Sequence, residues 1–270
     1  MRITGPINVS GDVMTSRNIV DRAHYYERLS AGDRAPLINM LSSLARQIVQ
    51  IVRDASLPVK LDLVNAVQQL GAEKHLFLYV PRDPLTANFV GATVMPPTDF
   101  ISVVDMNMGS EKADFSVYRS INYHVQLFAN GSAVSNLTVT YNNTCFWPYD
   151  VFTTVLVPPG AELLNATTSA QNLQGPLTTR GVNFTAFSAS VRVPTNETGS
   201  ITYLYTLPHV VRSSGVEERY DLYVQKQAGI NDYTFNPEVQ LPDGAQLFAS
   251  QNAEANQMST GDIHLEMGYR

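Results

Sequence analysis

Residues 115–141 read F-S-V-Y-R-S-I-N-Y-H-V-Q-L-F-A-N-G-S-A-V-S-N-L-T-V-T-Y. Apolar and polar residues alternate up to Leu127, the pair Asn130-Gly131 interrupts them, and the alternation resumes at Ala133. A period of two sends successive side chains to opposite faces of a strand, and Asn-Gly supplies the positive backbone angles of a tight hairpin. The stretch is therefore predicted as two antiparallel strands, Phe115–Leu127 and Ala133–Tyr141, each with one buried face.

The same period runs on toward the C-terminus. Val151–Val157, Val182–Val193, Ile201–Leu207, Arg219–Gln227, Tyr233–Leu241 and Ile263–Tyr269 are rich in Val, Thr, Tyr and Phe, and Pro159-Gly160 and Asp243-Gly244 punctuate them. Eight or nine strands at this spacing predict an Ig-like antiparallel β-sandwich over residues 101–270. Toward the N-terminus the period changes. In A-P-L-I-N-M-L-S-S-L-A-R-Q-I-V-Q-I-V-R the residues Leu37, Met40, Leu41, Leu44, Ile48 and Ile51 form one helical stripe, with Asp33 as N-cap and Pro36 in the first turn. This helix is expected to stop before Pro58. A second is expected over Lys60–Leu70, closed by Gly71 as C-cap, and His75–Val80, H-L-F-L-Y-V, reads as a buried strand. Residues 1–100 are thus a small α/β region, and the fold class is α+β.

Composition narrows the function. Among 270 residues, 18 Lys+Arg stand against 24 Asp+Glu, a formal charge of −6, so a basic footprint for nucleic acid is missing. No apolar run of about 18 residues is present to span a bilayer, and the opening M-R-I-T-G-P-I-N-V-S lacks the pattern of a secretory signal. The single cysteine, Cys145, excludes an internal disulfide and any multi-cysteine metal site. His24, His75, His124, His209 and His264 show no metal-ligand spacing. The glycine-rich phosphate and dinucleotide motifs and the G-x-S-x-G elbow do not occur. No catalytic, cofactor or metal residue is expected.

Two features rise above background. Asp99, Asp105, Glu111 and Asp114 form the one carboxylate cluster near the change of period. Their spacing is not that of a calcium loop, and the preferred reading gives them turns and ion pairs with Lys112 and Arg119. Seven N-x-S/T triplets begin at Asn8, Asn130, Asn136, Asn142, Asn165, Asn183 and Asn196, where composition alone would give roughly 3. Thr-rich strands beside Asn-rich turns generate such triplets by themselves, and a glycosylated extracellular surface is the alternative.

A resemblance rests on an ordered set of segments: E-K-H-L-F-L-Y-V (Glu73–Val80), I-S-V-V-D-M-N, K-A-D-F-S-V-Y-R-S-I (Lys112–Ile121), V-P-P-G-A-E-L (Val157–Leu163), T-Y-L-Y-T-L-P (Thr202–Pro208) and Y-D-L-Y-V-Q-K-Q-A-G (Tyr220–Gly229). With the opening I-T-G-P-I-N-V and T-S-R-N-I-V, the chain resembles the C-terminal part of the domain-of-unknown-function family 4012. The resemblance implies an extracytoplasmic envelope protein with a membrane helix ahead of it. It also implies an upstream region similar to the LytR-CpsA-Psr family of glycopolymer transferases, whose binding residues have no counterpart in this chain. It assigns no role to the matched Asp105, Asn107, Lys112, Asp114, Arg119, Gln225, Lys226 and Gln227.

A physical use for these positions is an inter-domain polar latch, with Lys226, between two amides at a strand end, held against Asp105 or Asp114. The expected function is a non-enzymatic, extracytoplasmic surface protein, self-assembling through sheet edges into a layer or filament and so partnered by copies of itself. The alternative is an accessory module that binds carbohydrate in a cleft lined by Asp99, Asp105, Asp114, Tyr118 and Tyr123. Nucleic acid is not an expected partner, and contact with a membrane would come only through a segment outside this chain.

Overall fold

A computed structural model of the chain describes residues 3–9, 11–29, 35–76, 99–109, 113–251 and 257–270. Contacts divide the chain into two units, Met1–Leu70 and Gly71–Arg270. The change of period near residue 100 falls inside the second.

In the first unit a two-stranded hairpin, β1 (Ile7–Val9) and β2 (Asp12–Met14), precedes helices α1 (Ile19–Leu29), α2 (Ala35–Asp54) and α3 (Leu57–Ala72). Thr15 and Asn18 cap α1 reciprocally: the Asn18 amide donates to Thr15 Oγ1, and the Thr15 amide donates to Asn18 Oδ1 at 2.7 Å. Four of the six residues in the predicted stripe of α2 pack as expected. Met40 and Leu44 are buried with Ile7, Val9 and Met14, and Leu37 and Ile51 pack against them, whereas Leu41 and Ile48 are exposed. As expected, α2 stops before Pro58, at Asp54. The ends of the second helix differ from expectation: α3 starts at Leu57 and not Lys60, with Pro58 in its first turn, where its missing N–H costs nothing. The helix then runs through Gly71, and it is Lys74 that takes the left-handed backbone (φ 58°) which the C-cap reading gave to Gly71. Asp33 and residues 77–80 of the predicted strand lie outside the described residues, and His75 and Leu76 are not in a strand. No described helix is long and apolar enough to cross a membrane.

The second unit holds the strands the alternation predicts and others besides. β4 (Val117–Leu127) and β5 (Ala133–Asn143) form the expected hairpin, with Gly131 at φ 81° in the turn. β6 (Tyr149–Val157), β9 (Thr185–Val193), β10 (Thr198–Leu207), β12 (Glu218–Gln225), β13 (Tyr233–Gln240) and β16 (Ile263–Tyr269) complete the predicted set. β3 (Asp99–Asn107), β7 (Glu162–Thr168), β8 (Gln171–Arg180), β11 (Val211–Ser213), β14 (Leu247–Gln251) and β15 (Gln257–Ser259) were not anticipated. The expectation of eight or nine strands is corrected to fourteen among the described residues, β3 to β16.

These strands form two sheets in a sandwich-like arrangement, one in the order β15-β13-β4-β5-β10-β7, the other β14-β16-β12-β3-β6-β9-β8 with β11 against β12. The fold class is α+β with antiparallel-rich sheets, as expected, and two pairings are parallel: β12 with β3, and β13 with β4. The consecutive strands β12 and β13 return to opposite sheets and lie beside β3 and β4, the first strands of those sheets. Inward positions of both sheets make one core, in which the Phe187 ring lies 5.4 Å from Tyr205 and 6.2 Å from Tyr203 across the sheets. Each fully buried aliphatic or aromatic side chain there contributes about 1.5–3 kcal/mol.

Candidate ligand cavity and the buried carboxylates

β3 brings two carboxylates inward. Along Asp99, Ile101, Val103 and Asp105 the alternation faces the core, so an acidic group sits at either end of one apolar row. Sealed carboxylates need donors, and each meets a tyrosine from the opposite sheet. Asp99, fully buried, accepts from Tyr123 Oη at 2.7 Å and Tyr220 Oη at 2.5 Å, with Ser135 Oγ 2.9 Å from the Tyr123 hydroxyl. Burial raises the Asp99 carboxyl above its ordinary range, against the pull of the two phenols and of the Phe100 amide.

Asp105 accepts from Tyr141 Oη and from Arg119 Nη1, both at 2.7 Å, and Tyr141 Oη lies 2.6 Å from Thr153 Oγ1. Gln227 joins the pair by both ends of its amide: the Asp105 amide donates to Gln227 Oε1 at 3.0 Å, and Gln227 Nε2 donates to the Asp105 carbonyl at 2.9 Å. Arg119 Nη1 also reaches Gln227 Oε1 at 2.9 Å and the Val103 carbonyl at 3.2 Å. The Arg119 side chain is 7% exposed, yet its Nε has no partner among the described residues.

That guanidinium forms part of the wall of a cavity of about 250 Å³. Asp105, Asp114, Tyr141 and Tyr149 line it with Asp232, and Phe115 and Tyr118, 67% and 62% exposed, stand in its lining toward solvent. Asp114 Oδ2 accepts from the Asn107 side-chain amide at 3.0 Å. Burial first, then the charges of Asp105 and Asp114, push the Tyr149 phenol well above its usual range. Of the cleft anticipated from sequence, Asp105, Asp114 and Tyr118 do come together, while Asp99 and Tyr123 belong to the separate buried cluster. Glu111 and Lys112 lie outside the described residues. Arg119, Asp232 and Gln227 were not read as lining residues, because long-range pairing alone brings the loop after β12 to β4.

The latch takes a different form from the one expected. Lys226, 2% exposed, donates from Nζ to the carbonyls of Glu73 at 2.8 Å and Ile230 at 2.5 Å, and not to Asp105 or Asp114. Burial pushes its ammonium below its ordinary range. Its backbone amide donates to Asp262 Oδ1 at 2.8 Å, and Asp262 also meets Lys74 at 3.0 Å and the Tyr223 hydroxyl. All these groups lie in the second unit, so the arrangement is internal to it.

All seven sequon asparagines, Asn8, Asn130, Asn136, Asn142, Asn165, Asn183 and Asn196, are exposed. Cys145 is half-buried against the core. A cluster hidden in the sequence joins Asp221, His264 and Glu266, whose ligand atoms lie within 4.8 Å of one another. Asp221 and Glu266 face each other across β12 and β16, where two like charges repel. Arg212 bonds Asp221 and Arg219 comes within 3.8 Å of Glu266, so guanidinium groups already compensate them.

No family model and no curated protein matches this chain. Solved structures similar to it include a protein described as nutrient-binding from Legionella pneumophila, 11% identical over 63% of this chain and 70% of that one, with a TM-score of 0.33. An M1 zinc metallopeptidase from Deinococcus radiodurans is 12% identical over 57% of this chain and 42% of its own (TM-score 0.33). Yeast LTA4 hydrolase is 4% identical over 60% and 31% (TM-score 0.32). This chain therefore spans less than half of the metallopeptidase and of the LTA4 hydrolase, and at such TM-scores the likeness carries no argument about function.

Proposed function

We propose that the protein is a non-enzymatic, extracytoplasmic component of the cell envelope that associates with copies of itself through the open face of the sheet built on β4, β5 and β10. One observation carries this reading. The outward positions of these three central strands are Tyr118, Ser120, Asn122, His124 and Gln126, then Val134, Asn136, Thr138, Thr140 and Asn142, then Thr198, Ser200, Thr202, Leu204 and Thr206, without a single Lys, Arg, Asp or Glu. Exposed sheet surfaces ordinarily carry charges that keep them apart. The flanking strands add Glu238 opposite His124 and Glu162 opposite Thr206, and between these two charges the hydroxyls and amides lack that protection and suit close contact with a like surface.

The resemblance to an envelope family supports the location, and the exposed sequons agree with it. Asn136 and Asn165 flank Leu204 in one cross-strand row, so glycans compatible with assembly sit elsewhere, on Asn8, Asn130, Asn183 or Asn196. Sedimentation velocity from low to high micromolar concentration tests the reading. The wild-type chain is expected to shift to larger species. A Thr138→Lys, Thr202→Lys double variant is expected to stay monomeric, because the two hydroxyls are 2.8 Å apart and lysines there place like charges at the centre of the face. A wild type that stays monomeric throughout, or a double variant that still assembles, overturns it.

A second reading, an accessory carbohydrate-binding module in envelope glycopolymer assembly, is favoured by the cavity beside Arg119 and its aromatic rim.

A further inference from the structure

The turn between β5 and β6 shows its largest side chains to solvent and bonds its own backbone. Residues 141–149 read Y-N-N-T-C-F-W-P-Y, without a Lys, Arg, Asp or Glu. At its tip Phe146 is 88% exposed and Trp147, the one tryptophan of the chain, 52%. Asn143, fully buried, holds the turn from below. Its Nδ2 donates to the carbonyls of Trp147 at 2.9 Å, Pro194 at 3.1 Å and Val193 at 3.2 Å, and its Oδ1 accepts from the Cys145 amide at 2.9 Å. Thr195 Oγ1 donates to the Phe146 carbonyl at 3.2 Å. The amide and hydroxyl of Thr144 both donate to the Ser116 carbonyl, at 2.9 and 2.8 Å, and Pro148 has no amide hydrogen to satisfy. Two rings are therefore held out in water by a turn that cannot fold them away, an arrangement that costs free energy until something apolar covers them.

What covers them follows from the same features. Phe146 and Trp147 offer a protein partner no charge and a single donor, the indole N–H, with which to fix a register. The boundary between lipid headgroups and acyl chains asks for less: aromatic rings, no charge to desolvate, and backbone carbonyls that already have donors. The chain carries a formal charge of −6, which opposes approach to anionic lipid. We propose that this turn is a membrane anchor, which seats Phe146 and Trp147 at the headgroup boundary of a zwitterionic bilayer. The inference goes beyond the self-association reading and stands or falls without it. Asn142 and Asn196 flank the turn and its Thr195 support, so the anchor works where both sequons are bare.

Phosphatidylcholine vesicles and the full, unglycosylated chain test it, with Trp147 as the built-in reporter. Two rings make an anchor about as weak as one myristoyl chain, so half of the chain is expected to co-sediment at roughly 0.1 mM lipid. Trp147 emission is expected to move to shorter wavelength over the same range, and to be quenched by lipid brominated near the top of its acyl chains. Phe146→Ser, at a position the core does not use, is expected to weaken binding roughly tenfold with the melting temperature unchanged. Added salt is expected to change nothing, because no ion pair is involved. Absence of co-sedimentation at millimolar lipid overturns the inference, as does full binding by Phe146→Ser. Binding without a change in Trp147 emission, or binding that requires anionic lipid and fails in salt, overturns the assignment to this turn. A shift of Trp147 emission with chain concentration alone, before lipid is added, would make the turn a contact between copies and overturn it equally.

Discussion

Lys226 shows what a single residue discloses and what it hides. Its position between Gln225 and Gln227 at the end of a strand suggested a cation held against Asp105 or Asp114, whereas it is buried with backbone carbonyls as its partners. Its partners were not legible, because the carbonyls of Glu73 and Ile230 carry no side-chain signature. The neighbouring amide, Gln227, is the group that reaches Asp105, closing a two-bond bracket of the kind one strand makes with another. Lys226→Met keeps the stem of the side chain and removes its three donors. Two carbonyls then stay buried without them, at a cost of about 1–3 kcal/mol. Urea unfolding is expected to show a lower midpoint with an unchanged slope. An unchanged midpoint would mean that water replaces the ammonium without loss.

At the level of elements, the strands read correctly are those with one wet and one dry face: β4, β5, β6, β9 and β10 follow the alternation nearly residue by residue, and β12, β13 and β16 over part of their length. β3 escaped because its inward row begins and ends with aspartate, which looks like loop chemistry until tyrosines supply the donors. β8 and β14 escaped because nearly every position in them is exposed, so they carry no period at all. The parallel pairings of β3 with β12 and β4 with β13 join segments far apart in sequence, and no local pattern encodes them. Two glycines within strands test how tightly these elements pack. A methyl at Gly199 in β10 would lie 2.9 Å from Ala170 Cβ and 3.0 Å from Val193 Cγ2, both short side chains fixed near the backbone. A methyl at Gly268 in β16 would meet the ring of Phe248, which is half-exposed on the edge strand and free to swing away. Gly199→Ala is therefore expected to destabilise by about 1–3 kcal/mol, and Gly268→Ala by clearly less. Thermal denaturation of the two variants side by side checks the order, and equal costs would count against the packing described for β10.

Across the whole second unit, the interior is built with phenols as much as with aliphatic groups. Of thirteen tyrosines in the sequence, Tyr123, Tyr141, Tyr203, Tyr205 and Tyr220 are fully buried, and the hydroxyls of Tyr123, Tyr141 and Tyr220 hold the two inward carboxylates of β3. The candidate cavity lies beside one of these clusters, which explains why only part of it was legible: Asp105, Asp114 and Tyr118 announce themselves locally, whereas Asp232 and Gln227 arrive by topology. The same construction fixes the alkaline limit of the fold. Burial raises each of the five phenols above its ordinary value of 10.0, and for Tyr123, Tyr205 and Tyr220 the Asp99 carboxylate adds to the shift, as Asp105 does for Tyr141 and Tyr203. Raised values mean that above pH 10 the native chain keeps protons which the unfolded chain releases. The stability these groups contribute is complete below pH 10 and drains away as pH climbs toward the folded values. A spectrophotometric titration is thus expected to show the buried phenols silent until circular dichroism reports loss of the sheets, and then to show them ionise together with that loss. Gradual ionisation of all thirteen while the sheets persist would mean that water reaches the carboxylate–tyrosine clusters, and the sealed interior inferred for both ends of β3 would be wrong.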